Sequence, residues 1–148
     1  ANGYPSIWLT MFKENDVAQY EYIAPLAILT TIGVLAAFMV CWLRKNCMPT
    51  GRNLLLMTFL LTYTSVFFLP AMHERYGFVY EICAIMIAIV IPKTIPLAAG
   101  LIAVSMGTYA SYSFYAPTNY VTMVWMNLFI YLAYIYVLRN EIKSEEKE

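Results

Sequence analysis

Two intervals without a charged side chain decide what medium this chain folds in: 22 residues between Glu21 and Arg44, and 20 between Arg52 and His73. A third runs for 45 residues from Lys93 to Arg139. A helix rises 1.5 Å per residue, so about 20 residues cross a hydrocarbon core about 30 Å thick. The chain is 61% hydrophobic and only 12% charged, whereas soluble domains carry roughly a quarter charged residues. A chain of 148 residues has too little interior to bury that much apolar surface from water. The bilayer is the economical solvent, and lipid admits only helices or closed barrels. The fold class expected is therefore all-α, a polytopic transmembrane helical bundle.

The 45-residue interval is too long for one span. It breaks at Tyr115-Ala116-Pro117-Thr118-Asn119, a run of turn-forming residues. The stretch 77–92 reads either as a short span ending at Pro92-Lys93 or as the first half of a longer helix. Lys and Arg collect on the cytoplasmic side of a membrane protein, and this decides it. Five spans (about 23–43, 54–71, 77–92, 94–114 and 119–138) gather Arg44, Lys45, Arg52, Lys93, Arg139, Lys143 and Lys147 inside, and leave only Lys13 and Arg75 outside. Four spans divide the basic residues almost evenly. Five are expected, with the N-terminus outside and the C-terminus in the cytoplasm. Residues 1–22 then form an outer juxtamembrane segment, 23–138 the bundle, and 139–148 a solvated, charged cytoplasmic tail.

A helix over 77–92 covers only about 24 Å, short of the hydrocarbon thickness. Its outer end is expected to begin below the membrane surface. Irregular backbone at that depth must line a cavity or be buried in protein, so the segment before it should sit in a recess. That segment reads LPAMHERYGF, residues 69–78, and holds the only histidine of the chain. A plain hairpin needs only Asn, Gly or Ser, and ionisable groups near a membrane interior are functional candidates. Arg75 offers a planar fork suited to phosphate. His73 adds a donor, or moves a proton near neutral pH. Glu74 can orient either neighbour or hold a sugar hydroxyl, and Tyr76 adds a hydroxyl and a ring face. Glu81, seven residues after Glu74, falls near the same helical face. It reads either as a partner for Arg75 or for a polar group on a neighbouring helix, or as the residue that positions Arg75.

Elsewhere the plain readings prevail. Cys41, Cys47 and Cys83 show no CxxC spacing, so free thiols are expected and no metal site is indicated. Tyr109, Tyr112, Phe114, Tyr115 and Tyr120 fit an interfacial aromatic belt. Net charge is zero, which excludes the basic field that nucleic-acid binding needs.

LPAMHERYGFVYE, after one apolar span and before a short one, resembles the MHERY segment of bacterial GT-C type membrane glycosyltransferases. The subgroup it resembles is similar to the mannosyltransferase that adds the second mannose of the GPI anchor. IPLAAGLIAVSMGTYASYSFY and ANGYPSIWLTMF look like further segments of that family. The resemblance implies the C-terminal portion of an enzyme that moves a hexose, mannose by family, from a polyprenyl-phosphate donor to an acceptor. The site would face the extracytoplasmic side of a bacterial plasma membrane. His73 and Arg75 would meet the donor phosphate, and Glu74 and Tyr76 would orient them or meet the sugar. Glu81 stands behind them. The family's general base lies in a first outer loop near its N-terminus, so it is expected in the remaining N-terminal part of the same protein. Of the outer acids here, Glu14, Asp16, Glu21 and Glu74, Glu74 is the candidate catalytic carboxylate. No cofactor is required by this reading, and a divalent metal stays open as an assistant. The expected partners are the lipid bilayer, the polyprenyl-phosphate sugar and that N-terminal part. Two alternatives stand beside this one: a transporter or flippase fragment with His73, Glu74 and Glu81 on an ion path, and a small scaffold subunit.

Overall fold

A computed structural model describes residues 5–10, 17–44, 50–69, 74–114 and 119–145; within these, the side chains at 9, 10, 17–20, 74, 75, 112 and 142–145 are not described. Nearly all of the described residues are helical, with no strand among them. Five helices follow in order: α1 (Val17–Arg44), α2 (Gly51–Phe68), α3 (Phe78–Val90), α4 (Ile95–Phe114) and α5 (Tyr120–Glu145). Short 3-10 turns occupy Ile7–Thr10, Glu74–Gly77 and Pro92–Thr94.

Local chemistry sets these boundaries. Thr50 caps α2, its hydroxyl accepting from the Asn53 N–H at 3.3 Å, which satisfies one of the donors a helix start leaves unpaired. Leu69, extended at φ −75° and ψ 139°, precedes Pro70, and a residue before proline is pushed out of the helical region. Pro92 opens the turn that follows α3, and Thr94 closes it with a hydroxyl bond to the Ile91 carbonyl at 2.9 Å.

Three segments are long and apolar enough to cross a membrane: Glu21–Arg44, Pro92–Ser111 and Tyr120–Glu141. The chain is accordingly an integral membrane protein. α2 and α3 are the shorter apolar helices. α2 dilutes its apolarity with hydroxyls. Thr62 bonds the Thr58 carbonyl at 2.7 Å and Ser65 the Leu61 carbonyl at 2.8 Å, while Thr64 pairs with the Tyr131 hydroxyl on α5 at 2.8 Å. α3 has 13 residues, about 20 Å of helix.

The helices differ in extent from the stretches read as spans. α2 runs over Gly51–Phe68 and not 54–71. α1 begins at Val17, inside the segment read as an outer juxtamembrane stretch. α3 stops at Val90, ended by Pro92. α5 runs on to Glu145, so most of the supposed tail is helix. Nor is that end merely solvated. Glu141 binds Arg52 at 2.7 Å and also pairs with Lys93, and its side chain is only 18% exposed. One carboxylate thus ties together the start of α2, the turn before α4 and the end of α5.

The core lies between α2, α3, α4 and α5, and it is aromatic. Phe59, Tyr63, Phe67, Tyr80, Tyr131 and Tyr134 are all buried. Tyr63 stacks on Tyr80 with centroids 4.7 Å apart and rings 13° from parallel, and meets Tyr131 edge-on at 5.2 Å. Offset and edge-to-face pairs of this kind add to area burial. Gly100 and Gly107, two turns apart on α4, lie against α5. A Cβ at Gly100 would stand 3.2 Å from Ile130 Cδ1, and one at Gly107 would meet the flexible end of Met123. Small residues at such spacing let membrane helices approach closely. α1 packs chiefly on α2; Ala27 and Thr31 are its buried residues among the described side chains, and the others are half-buried or exposed.

Candidate functional site

The turn Glu74–Gly77 connects α2 to α3 and touches α2, α3 and α4. Its depth follows from the packing of α3 on α4. Ser105 Oγ donates to Glu81 Oε1 at 2.6 Å, and that oxygen lies 2.9 Å from where a Gly77 Cβ would stand, which sets Ser105 near the level of the turn. From Ser105, α4 climbs nine more residues to Phe114. The turn therefore lies below the end of α4 along the helix axes. The ends of α3 and α4 on this side are thus offset from one another.

The other wall comes from the N-terminal segment. Pro5, Ser6 and Trp8 are buried, and the turn Ile7–Thr10 packs on α2 and α5. Trp8 Nε1 donates to the Phe68 carbonyl at 2.5 Å. That carbonyl belongs to the last turn of α2, where helices leave acceptors unpaired. Asn127, fully buried on α5, donates from Nδ2 to the Pro5 carbonyl at 3.2 Å and accepts at Oδ1 from the Tyr63 hydroxyl at 2.5 Å. These bonds hold the segment against the helix end that leads into the turn.

The sequence-derived site residues divide as follows. His73 lies outside the described residues. Glu74 and Arg75 have their backbone in the 3-10 turn, and their side chains are not described. Tyr76 is 55% exposed at the turn's edge. Glu81 points back toward the turn, because a Cβ on Gly77 would sit 2.9 Å from its Oε1 and 2.9 Å from the Tyr80 hydroxyl. Gly77 is thus the one position at which the absence of a side chain makes room for the carboxylate. Of the readings open for Glu81, the structure provides the polar partner on a neighbouring helix, Ser105. In the first turn of α3, the carboxylate also faces the positive end of the helix dipole.

Comparison with protein-family models, with curated proteins and with solved structures finds no match for this chain.

Ser105, Trp8 and Asn127 belong to the site's frame, and residue-by-residue reading of the motif did not single them out. Asn127 carried a usable signal, a side-chain amide deep inside a long uncharged interval, where polar groups bond across helices. Ser105 carried a weaker one, since hydroxyls are common in such helices. In the aromatic group, Ser111 and the Tyr120 hydroxyl pair at 2.7 Å across the α4–α5 connection, and Phe114 is 81% exposed. Tyr115 lies outside the described residues, and the Tyr112 side chain is not described. Cys41 is exposed and Cys83 buried, both as free thiols, and Cys47 lies outside the described residues. Among the described residues no group of three or more His, Cys, Asp or Glu side chains could hold a metal ion.

Proposed function

We propose that this chain is the C-terminal membrane portion of an enzyme that transfers a hexose from a polyprenyl-phosphate donor. The observation that carries this reading is the position of the Glu74–Gly77 turn, below the end of α4 and beside Ser105 through Glu81. A donor whose phosphate is anchored by a lipid tail needs a cationic contact below the membrane surface, in a cleft open to lipid. Arg75, with His73 beside it, supplies that contact.

In the reaction, the bond between the sugar's anomeric carbon and the phosphate oxygen breaks, and a bond from that carbon to an acceptor oxygen forms. The acceptor's proton passes to a carboxylate base, and the bonding pair leaves with the phosphate. The phosphate is already a good leaving group, so the main service required is fixed positive charge beside it in a partly dry site. Arg75 provides that charge. Glu74 and Tyr76 meet the sugar or hold Arg75, and Glu81, fixed by Ser105, supports the turn from below. The base belongs to the N-terminal part of the protein, and the acceptor enters from the extracytoplasmic side. The MHERY resemblance supports mannose as the sugar.

The test is incubation of the full-length protein in lipid with polyprenyl-phosphate mannose and polyprenyl-phosphate glucose, following release of the polyprenyl phosphate. Donor turnover that depends on Arg75 supports the reading. No turnover of either donor, with protein that is folded and inserted, removes it.

A further inference from the structure

The end of the bundle that carries the Glu74–Gly77 turn has a second feature, which stands independently of the reading above. Residues 5–10 pack on α2 and α5 rather than lying free on the surface. Asn127, whose side chain holds the Pro5 carbonyl, lies seven residues into α5, about two turns from its start. Non-helical backbone at such depth is tolerated where protein buries it, and Pro5, Ser6 and Trp8 are buried. The segment forms a strap, laid into the bundle and tied there by side chains.

The strap grips the point from which the connection to α3 departs. Trp8 gives its indole N–H to the Phe68 carbonyl at 2.5 Å, in the last turn of α2, where a helix cannot satisfy its own acceptors. Phe68 is held from the core side as well: its ring meets Phe67 at 5.2 Å and Tyr131 at 5.7 Å, both edge-on. Leu69 follows in extended conformation, its N–H still bonded to the Ser65 carbonyl at 3.0 Å. The Glu74–Gly77 turn then comes back to touch α2. Segments secured by a few bonds open at lower free energy than a packed core does, and the core here is closed by stacked aromatic rings.

We propose that the strap, the last turn of α2 and the Glu74–Gly77 turn open and close as one cooperative unit, with the Trp8–Phe68 bond as its catch. Closed, the unit keeps Glu74 and Arg75 in a 3-10 turn. Open, it releases strap and turn together while α4 and α5 stay folded. A ligand at the turn that prefers one of these states would shift the population of both.

The experiment follows amide hydrogen exchange of the purified full chain in detergent by mass spectrometry. In the wild type, residues 6–10, 66–69 and 74–77 should share one opening constant, with less protection than the cores of α4 and α5. Trp8→Phe keeps a ring and removes the bond. It should speed exchange about fivefold in all three stretches together, the effect of one net hydrogen bond, and leave α4 and α5 unchanged. Thr50→Ala removes the cap at the other end of α2 and should speed exchange only in the first turn of that helix. Faster exchange confined to residues 6–10 in Trp8→Phe makes the strap a passive wall and overturns the proposal, as does no change at all. So does a Thr50→Ala protein whose 74–77 turn loosens as much, for then the effect is general. Different opening constants for strap and turn in the wild type overturn it without any variant.

Discussion

Ser105 Oγ and Glu81 Oε1 lie 2.6 Å apart, and this bond ties the first turn of α3 to the middle of α4. The carboxylate stands in the first turn of an apolar helix, where an ionisable group persists only if it is paired or hydrated. Ser105, 7% exposed, is its partner among the described residues. Ser105→Ala leaves the carboxylate short of a donor and should destabilise the folded protein by about 1–3 kcal/mol. Glu81→Gln keeps an acceptor for the serine and should cost less. Thermal unfolding in detergent, compared across the two variants, checks the order; a Ser105→Ala protein as stable as the wild type would show that the bond holds nothing.

Gly77 controls the same contact from the other side. An added Cβ would lie 2.9 Å from both Glu81 Oε1 and the Tyr80 hydroxyl. Tyr80 is fixed by its stack on Tyr63, so the carboxylate is the group that yields. Gly77→Ala should therefore break the Ser105 bond. In a double-mutant cycle, Ser105→Ala should then cost less than about 0.5 kcal/mol in the Gly77→Ala background. Full additivity of the two substitutions would contradict this coupling.

The helices were legible because the uncharged intervals are long and their ends are marked by arginine, lysine and proline. The shortness of α3 was legible too, since only 16 residues lie between Tyr76 and Lys93. What the sequence did not reveal is which polar groups meet across helices. Ser105 and Asn127 look like many other hydroxyls and amides in apolar helices, and only packing selects them. The end of α5 misled for a related reason. EIKSEEKE reads as a solvated tail because charge density usually means water, yet Glu141 has two cations brought to it by other helices.

The Tyr63–Asn127–Pro5 connection predicts a graded series. Asn127→Leu takes the Oδ1 acceptor from the Tyr63 hydroxyl, which keeps the Asn127 backbone carbonyl at 3.2 Å, and the donor from the Pro5 carbonyl, and should cost about 1–3 kcal/mol. Tyr63→Phe removes one hydroxyl from a stacked ring and should cost about 1 kcal/mol. Trp8→Phe keeps the ring but loses the bond to the Phe68 carbonyl. It should raise proteolytic cleavage within the first ten residues while leaving the midpoint of global unfolding nearly unchanged.

Tyr76 and Lys93 lie at opposite ends of α3, which separates them by about 20 Å or more, and both are exposed. On a background with all three cysteines replaced, Tyr76→Cys should react with a membrane-impermeant maleimide applied to intact cells from outside. Lys93→Cys should react only after the membrane is opened. The reverse pattern would invert the chain in the membrane and remove the proposed extracytoplasmic site.

Arg75→Ala tests the chemistry directly. If the guanidinium stabilises the departing phosphate, its loss removes an interaction that strengthens as negative charge develops on that phosphate. Deleting one preorganised contact of this kind lowers turnover about 100- to 1000-fold, with insertion and helix content unchanged. Arg75→Lys keeps the charge but loses the planar fork, so it should recover part of kcat and leave donor KM raised. A structural arginine would behave differently: both variants would lower the amount of inserted protein, and the molecules that remained would turn over donor at the wild-type rate. Measuring kcat per inserted molecule, rather than per cell, separates the two outcomes.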